Sequence, residues 1–119
     1  MKRIASLITA LLAVVLLAAP VSAAPSSSIS LDQAQPVSPG SQVTFTVTGS
    51  KAVSVQNTCS SSDGSQFSQE TLPVGSTFEI PSFAAICSAY VLDANDHRLR
   101  NRGNYVSVHY CASNTCFID

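Results

Sequence analysis

The sequence predicts an all-β domain, a β-sandwich of about seven short strands with two disulfides, preceded by a signal peptide. Hydrophobic residues after residue 28 alternate with a period of two rather than 3.6, which is the period of a strand. Turn-forming residues separate these alternating stretches at short intervals. All four cysteines lie in the same part of the chain, and an even number in a short exported chain indicates disulfides.

The start of the chain has the three parts of a secretory signal. A positive start precedes an uncharged, Leu/Ala/Val-rich run over 4–19, and small residues lead to a cleavage position after Ala23. The apolar run is shorter than the roughly 20 residues that a helix needs to cross a bilayer. We therefore expect a cleaved signal peptide at 1–23, a flexible arm at 24–28 and the domain at 29–119, with no membrane anchor after cleavage. The Ala-rich signal suggests a bacterial, secreted protein.

Removal of the signal leaves a weakly acidic domain. Lys2 and Arg3 are removed with it, so four of the six positive side chains and all seven negative ones remain, which gives a net charge of 4 − 7 = −3. The four positive residues are Lys51, Arg98, Arg100 and Arg102. Nucleic-acid binding is not expected, because affinity for phosphates scales with the number of neutralising cations.

The clearest strand is predicted at 42–48, where Val43, Phe45 and Val47 alternate with threonines. Proline and glycine before it, and Gly49 after it, are typical of turns. Weaker alternation predicts six more strands, around 29–32, 53–59, 66–71, 77–80, 83–92 and 105–110. A turn-rich segment at 93–104 separates the last two.

Two stretches resemble bacterial immunoglobulin-like extracellular domains. Pro36 to Val47, PVSPGSQVTFTV, is similar to their first hairpin, and Cys87 to Asp96, CSAYVLDAND, is similar to their penultimate strand and its turn. The resemblance implies an immunoglobulin-like sandwich over most of 29–110, and it bears on fold rather than function. The chain departs from antibody-type domains, because it has no tryptophan and its first cysteine falls on the third predicted strand.

Strand parity selects one of the three possible disulfide pairings. Cys59 shares the parity of Val53 and Val55, which we expect to face inward, whereas Cys111 shares that of His109, which we expect to face outward. An outward cysteine does not readily reach an inward one. We therefore predict the bridges Cys59–Cys87 and Cys111–Cys116. No metal is expected at the cysteines, because only the last two are closely spaced.

The same parity gathers polar and aromatic side chains on the outer face of the sheet made by strands three, six and seven. The predicted contact residues there are Gln56, Tyr90, Tyr105 and His109. Tyrosines give contact area at a low entropic cost, and amide and imidazole groups orient a partner. The alternative is structural, since exposed tyrosines also suit a sheet.

Arg98, Arg100 and Arg102 form a second candidate patch. They alternate along the turn-rich segment and carry three of the four positive charges. Guanidinium groups bind carboxylate or phosphate, such as those of an anionic cell-wall polymer. The alternative is a solvated hairpin end, balanced by Asp93 and Asp96.

Asp93, Asn95 and Asp96 offer oxygen ligands of the kind that calcium prefers. The glycine and the closing glutamate of an EF-hand loop are missing from this segment. The same residues are ordinary turn formers, so we expect a turn rather than a metal site.

The short bridge predicted at Cys111–Cys116 is similar to that of the neocarzinostatin-type apoproteins, which carry a small chromophore. The spacing of the other cysteine pair differs from theirs. The alternative is a staple for a hairpin or a chain end.

Catalytic motifs are missing from the sequence. It contains neither the nucleophile elbow of the hydrolases nor an HExxH motif, and the two bridges leave no cysteine as a nucleophile. We expect a non-catalytic binding module, without a cofactor, that acts on an extracellular protein or a cell-envelope component. Two alternatives stay open. A small-molecule carrier needs an apolar cleft, and an inhibitor of a secreted protease needs a rigid loop, such as the one around Cys111–Cys116.

Overall fold

The computed structural model describes residues 26–116, and in this range the chain is all-β, with ten strands and no helix. The strands are β1 Ser28–Leu31, β2 Gln42–Val43, β3 Phe45–Thr48, β4 Ser54–Ser60, β5 Phe67–Pro73, β6 Phe78–Glu79, β7 Ile86–Leu92, β8 Arg100–Asn101, β9 Asn104–Tyr105 and β10 Ser107–Cys111. Nothing in these residues forms a helix long and apolar enough to span a membrane. The predicted signal peptide lies outside the described residues.

The largest sheet has four antiparallel strands in the order β10–β7–β4–β5. Strands β4 and β7 pair along their whole length, from Ser54 opposite Leu92 to Ser60 opposite Ile86. Three smaller antiparallel pairs, β1–β3, β2–β6 and β8–β9, complete the described fold. We call the four-stranded sheet the main sheet, because it carries the candidate site.

Two predicted strands are each divided in the structure, which is part of the reason that ten strands replace the predicted seven. The strand predicted at 42–48 is interrupted at Thr44, whose backbone bonds to the Gln33 side chain and to the Asp32 amide. β2 and β3 therefore pair with different strands, β6 and β1. The strand predicted at 105–110 is interrupted at Val106, whose backbone bonds to Leu99 and Val91.

The core groups buried residues of the main sheet with those of the β1–β3 and β2–β6 pairs. Phe45 of β3 connects them, since its ring packs edge-on against Phe78 of β6 at 5.5 Å and against Tyr110 of the main sheet at 5.9 Å between ring centres. The predicted alternation is confirmed at Val43 and Phe45, which are buried. Val53, expected to face inward, is instead 49% exposed, because β4 begins one residue after it.

Both predicted disulfides are present, Cys59–Cys87 and Cys111–Cys116. Cys59 and Cys87 are directly opposed on β4 and β7, so this bridge lies within the main sheet. Cys111 stands opposite the exposed Ile86, on the outer side that parity predicts, yet it is buried. The chain after it returns towards the main sheet, where the Ala112 amide donates to the carbonyl of Ala85, the residue just before β7.

A buried polar pair crosses the inner side of the main sheet. The Tyr110 hydroxyl donates to the Asn57 side-chain oxygen at 2.6 Å, and both residues are buried. Burial raises the pKa of the Tyr110 hydroxyl far above its ordinary value, so it stays protonated and remains a donor.

Replacing Tyr110 by Phe is expected to lower the free energy of unfolding by about 1–3 kcal/mol, because it leaves the buried Asn57 oxygen without its donor. Urea unfolding measures this loss. The matched control is Tyr105→Phe, which removes the hydroxyl of an exposed tyrosine and is expected to change stability by about 0.5 kcal/mol or less. Equal stabilities for Tyr110→Phe and the wild type would contradict the assignment.

Candidate functional site

The outer face of the main sheet brings together three of the predicted contact residues. The pairing of β4 with β7 sets Gln56 opposite Tyr90, and the pairing of β7 with β10 sets His109 opposite Ser88. These side chains are half-buried or exposed. The regular antiparallel register, with no bulge between these strands, therefore places Gln56, Tyr90 and His109 on one surface.

The β8–β9 hairpin adds Tyr105 and two arginines to this surface. Its turn consists of Arg102 and Gly103, both with positive φ (52° and 87°), as a two-residue type I′ turn requires. A backbone hydrogen bond from the Leu99 amide to the Val91 carbonyl attaches the start of the hairpin to the end of β7. The Tyr105 ring consequently lies 5.9 Å from that of Tyr90, at an angle of 89°.

Arg98 and Arg100 each stack on a tyrosine. The guanidinium carbon of Arg98 lies 3.7 Å from the centre of the Tyr90 ring, and its Nη2 donates to the Gln56 side-chain oxygen at 2.9 Å. The guanidinium carbon of Arg100 lies 4.5 Å from the centre of the Tyr105 ring, and its Nη2 donates to the Tyr105 hydroxyl at 2.9 Å. The two predicted patches are thus one surface, which we call the tyrosine–arginine face: Gln56, Tyr90, Arg98, Arg100, Tyr105 and His109.

His109 forms the far side of this face. Its ring packs edge-on against Tyr90, with 6.2 Å between ring centres. Its Nδ1 and the Ser88 hydroxyl are hydrogen-bonded at 2.6 Å. The imidazole therefore has two neighbours that set its orientation.

Arg102 lies apart from the stacked pairs, in the exposed turn at the hairpin tip. Lys51 lines the same depression as Arg100, a polar hollow of about 330 Å³. All four positive side chains of residues 26–116 therefore lie at the hairpin end of the main sheet or beside it. Asp93 partly balances Lys51, since the lysine charge is among the causes that lower the pKa of that carboxyl.

The Asp93 carboxylate belongs to a turn. One of its oxygens accepts hydrogen bonds from the amides of His97, at 3.0 Å, and Asn95, at 2.9 Å. The bond from His97 is the largest cause of the lowered pKa of this carboxyl. Within 26–116, no three His, Cys, Asp or Glu side chains are grouped so as to hold a metal ion.

A second depression, of about 250 Å³, lies beside the Cys111–Cys116 bridge and is open to solvent. Ile86 and Ala85 form part of its wall, together with serines and Thr115. It is separated from the tyrosine–arginine face along the main sheet, because Ile86 and Tyr90 lie at different ends of β7.

The fold and the face together describe a small all-β domain with a preformed cationic and aromatic surface. Comparisons of the chain with protein-family models, with curated proteins and with solved structures give no match.

Proposed function

We propose that the chain is a secreted, non-catalytic binding module that contacts an extracellular or cell-envelope partner through the tyrosine–arginine face. The observation that carries this proposal is the fixed pair of guanidinium groups, each stacked on a ring and hydrogen-bonded. Free arginine side chains lose rotamer entropy when they bind. Holding them in place beforehand lowers that cost, which is the usual advantage of a preorganised binding surface.

The proposal includes an immunoglobulin-like fold for the domain. Its support is the strand order β10–β7–β4–β5, which agrees with the G–F–C–C′ order of the variable-type sheet. The packing of Phe45 and Phe78 against the inner face of this sheet is also consistent with a second layer. One feature departs from antibody domains, since the Cys59–Cys87 bridge joins neighbouring strands of one sheet rather than two sheets.

Secretion is supported by the signal-like sequence at 1–23 and by the disulfides. Two disulfides are compatible with an extracellular location, because they persist in oxidising compartments.

Two hydrogen bonds attach the second bridge to the rest of the domain. The Cys111 amide donates to the Gln35 side chain, and the Cys111 carbonyl accepts from the Val37 amide.

The double variant Tyr90→Ser, Tyr105→Ser tests the contact surface. Purified protein is measured against immobilised polymers: a neutral glucan, a uronate polymer, a phosphate-bearing wall polymer and gelatin. For any polymer that the wild type binds, we expect the double variant to bind about 5- to 30-fold more weakly. That range corresponds to about 0.5–1 kcal/mol for ordering each of the two arginine side chains on binding, once no ring holds it in place.

The matched control is Phe67→Ser, which removes an aromatic ring from the exposed outer face at the other end of the sheet. It is expected to leave binding unchanged. A double variant that retains both disulfides and binds as tightly as the wild type would show that a different surface makes the contact.

A further inference from the structure

We propose that the ligand of the tyrosine–arginine face is an anionic polysaccharide. In this assignment Arg98 and Arg100 touch the acidic groups of the ligand, and the two tyrosines are positioning residues that hold them. The inference rests on the proposed function, because it names the ligand of the same surface.

The charges of the two guanidiniums are not neutralised by the groups that hold them. Arg98 bonds to the neutral amide of Gln56, and Arg100 bonds to the neutral hydroxyl of Tyr105. A guanidinium has five N–H donors. Those bonds engage two donors of Arg98 and one of Arg100, so a planar set of donors remains on each for a carboxylate or a phosphate.

The two guanidiniums also act on the same region of space. Arg98 lies 5.6 Å and Arg100 4.5 Å from the centre of the same Tyr105 ring, so their guanidinium carbons are no more than about 10 Å apart. This upper limit is about one Debye length at 0.1 M salt, so both charges attract an acidic group that lies near either of them. A polymer with repeated acidic groups engages the pair better than a single anion.

The stacking geometry assigns the tyrosines a supporting role. Arg98 covers the Tyr90 ring at 3.7 Å, and Tyr90 is half-buried whereas Arg98 is exposed. The covered ring face is not open to a ligand. The exposed guanidinium is therefore the group that a ligand meets first.

The rest of the outer face favours a sugar chain over an acidic peptide. Beside the guanidiniums the face carries uncharged hydroxyl and amide side chains, namely Gln69, Thr71, Thr58 and Ser107. Such groups both donate and accept hydrogen bonds, as sugar hydroxyls do. After signal cleavage the domain carries four positive and seven negative side chains, a net charge of −3. This charge disfavours a broad contact with a densely charged polyanion, so the contact is local and lies at the hairpin end.

The test measures binding of sodium polygalacturonate to the mature protein at low salt, with dextran as the neutral polysaccharide and poly-L-glutamate as the acidic peptide. We expect binding to polygalacturonate that weakens as salt is added. Arg98→Gln and Arg100→Gln are each expected to lower the affinity about tenfold or more. The matched controls Arg102→Gln and Lys51→Gln each remove one positive charge as well, and they are expected to lower the affinity less than about threefold.

Tyr90→Leu separates positioning from contact. It is expected to weaken binding while leaving the slope of log affinity against log salt unchanged, because no ligand charge loses its partner. Arg98→Gln is expected to reduce that slope by about one. If Tyr90→Leu and Arg98→Gln change the salt slope equally, Tyr90 has no positioning role distinct from a charge contact.

Five results would overturn the inference. The first is no binding to polygalacturonate at low salt, and the second is equal losses for Arg98→Gln and Lys51→Gln, which would indicate general electrostatic attraction. The third is tighter binding to poly-L-glutamate than to polygalacturonate. Tyrosine-dependent binding to dextran would overturn the inference while supporting the proposed function, whereas binding that no tyrosine variant alters would contradict both.

Discussion

Loss of the Cys59–Cys87 bridge is expected to remove a large part of the stability of the domain. The bridge joins residues 28 positions apart, and both cysteines are buried in the core. Closing a loop of this length restricts the unfolded chain and contributes about 3.6 kcal/mol in the loop-entropy model. A domain of this size has a total stability of about 5–15 kcal/mol. Cys59→Ala, Cys87→Ala is therefore expected to lower the melting temperature by about 15–30 °C.

The second bridge is the internal comparison. Cys111 and Cys116 are only five positions apart, so the same reasoning gives about 2 kcal/mol. Thermal unfolding of the two double alanine variants is expected to rank Cys111→Ala, Cys116→Ala as the more stable. The reverse ranking, or an unchanged melting temperature without the Cys59–Cys87 bridge, would contradict this account of the fold.

Truncation of Phe78 is expected to have a comparable effect for a different reason. Its ring is fully buried and packs edge-on against Phe45, which in turn contacts Tyr110 of the main sheet. Phe78→Ala removes that ring and leaves a cavity in the core. We expect the free energy of unfolding, measured with urea, to fall by about 3–5 kcal/mol.

Phe67→Ala is the control for this truncation. Phe67 is 64% exposed on the edge strand β5, so we expect a change of about 0.5 kcal/mol or less. If the two alanine variants lose similar amounts of stability, the core does not lie where the structure places it.

The sequence predicted which residues are buried better than it predicted which strands pair. Alternation around Phe45 identified the buried side chains of β2 and β3 correctly. The change of partner at Thr44 was not predictable from alternation, because the Thr44 amide donates to the Gln33 side chain and its carbonyl accepts from the Asp32 amide, and both partners belong to a different segment. The disulfide pairing was predictable, since β4 and β7 are regular strands and parity holds along them.

The candidate site was predicted in two separate parts. Parity placed Gln56 and Tyr90 on one face, because a regular antiparallel pair keeps alternate side chains on the same side. The stacking of Arg98 on Tyr90 depends on the direction in which the β8–β9 hairpin leaves the sheet, which local sequence does not specify. A partial signal existed in Arg102–Gly103, since glycine in a two-residue turn indicates a hairpin that sets Arg100 opposite Tyr105.

An NMR titration of the ¹⁵N-labelled mature protein with short polygalacturonate oligomers tests most directly whether the tyrosine–arginine face binds an acidic sugar chain. We expect the largest chemical-shift changes on Gln56, Tyr90 and Arg100 and on the Nε–H of Arg98, which bonds to Gln56 in the free protein. Shift changes confined to 112–115, the loop closed by the Cys111–Cys116 bridge, would contradict this expectation and place the contact surface at the other end of the main sheet.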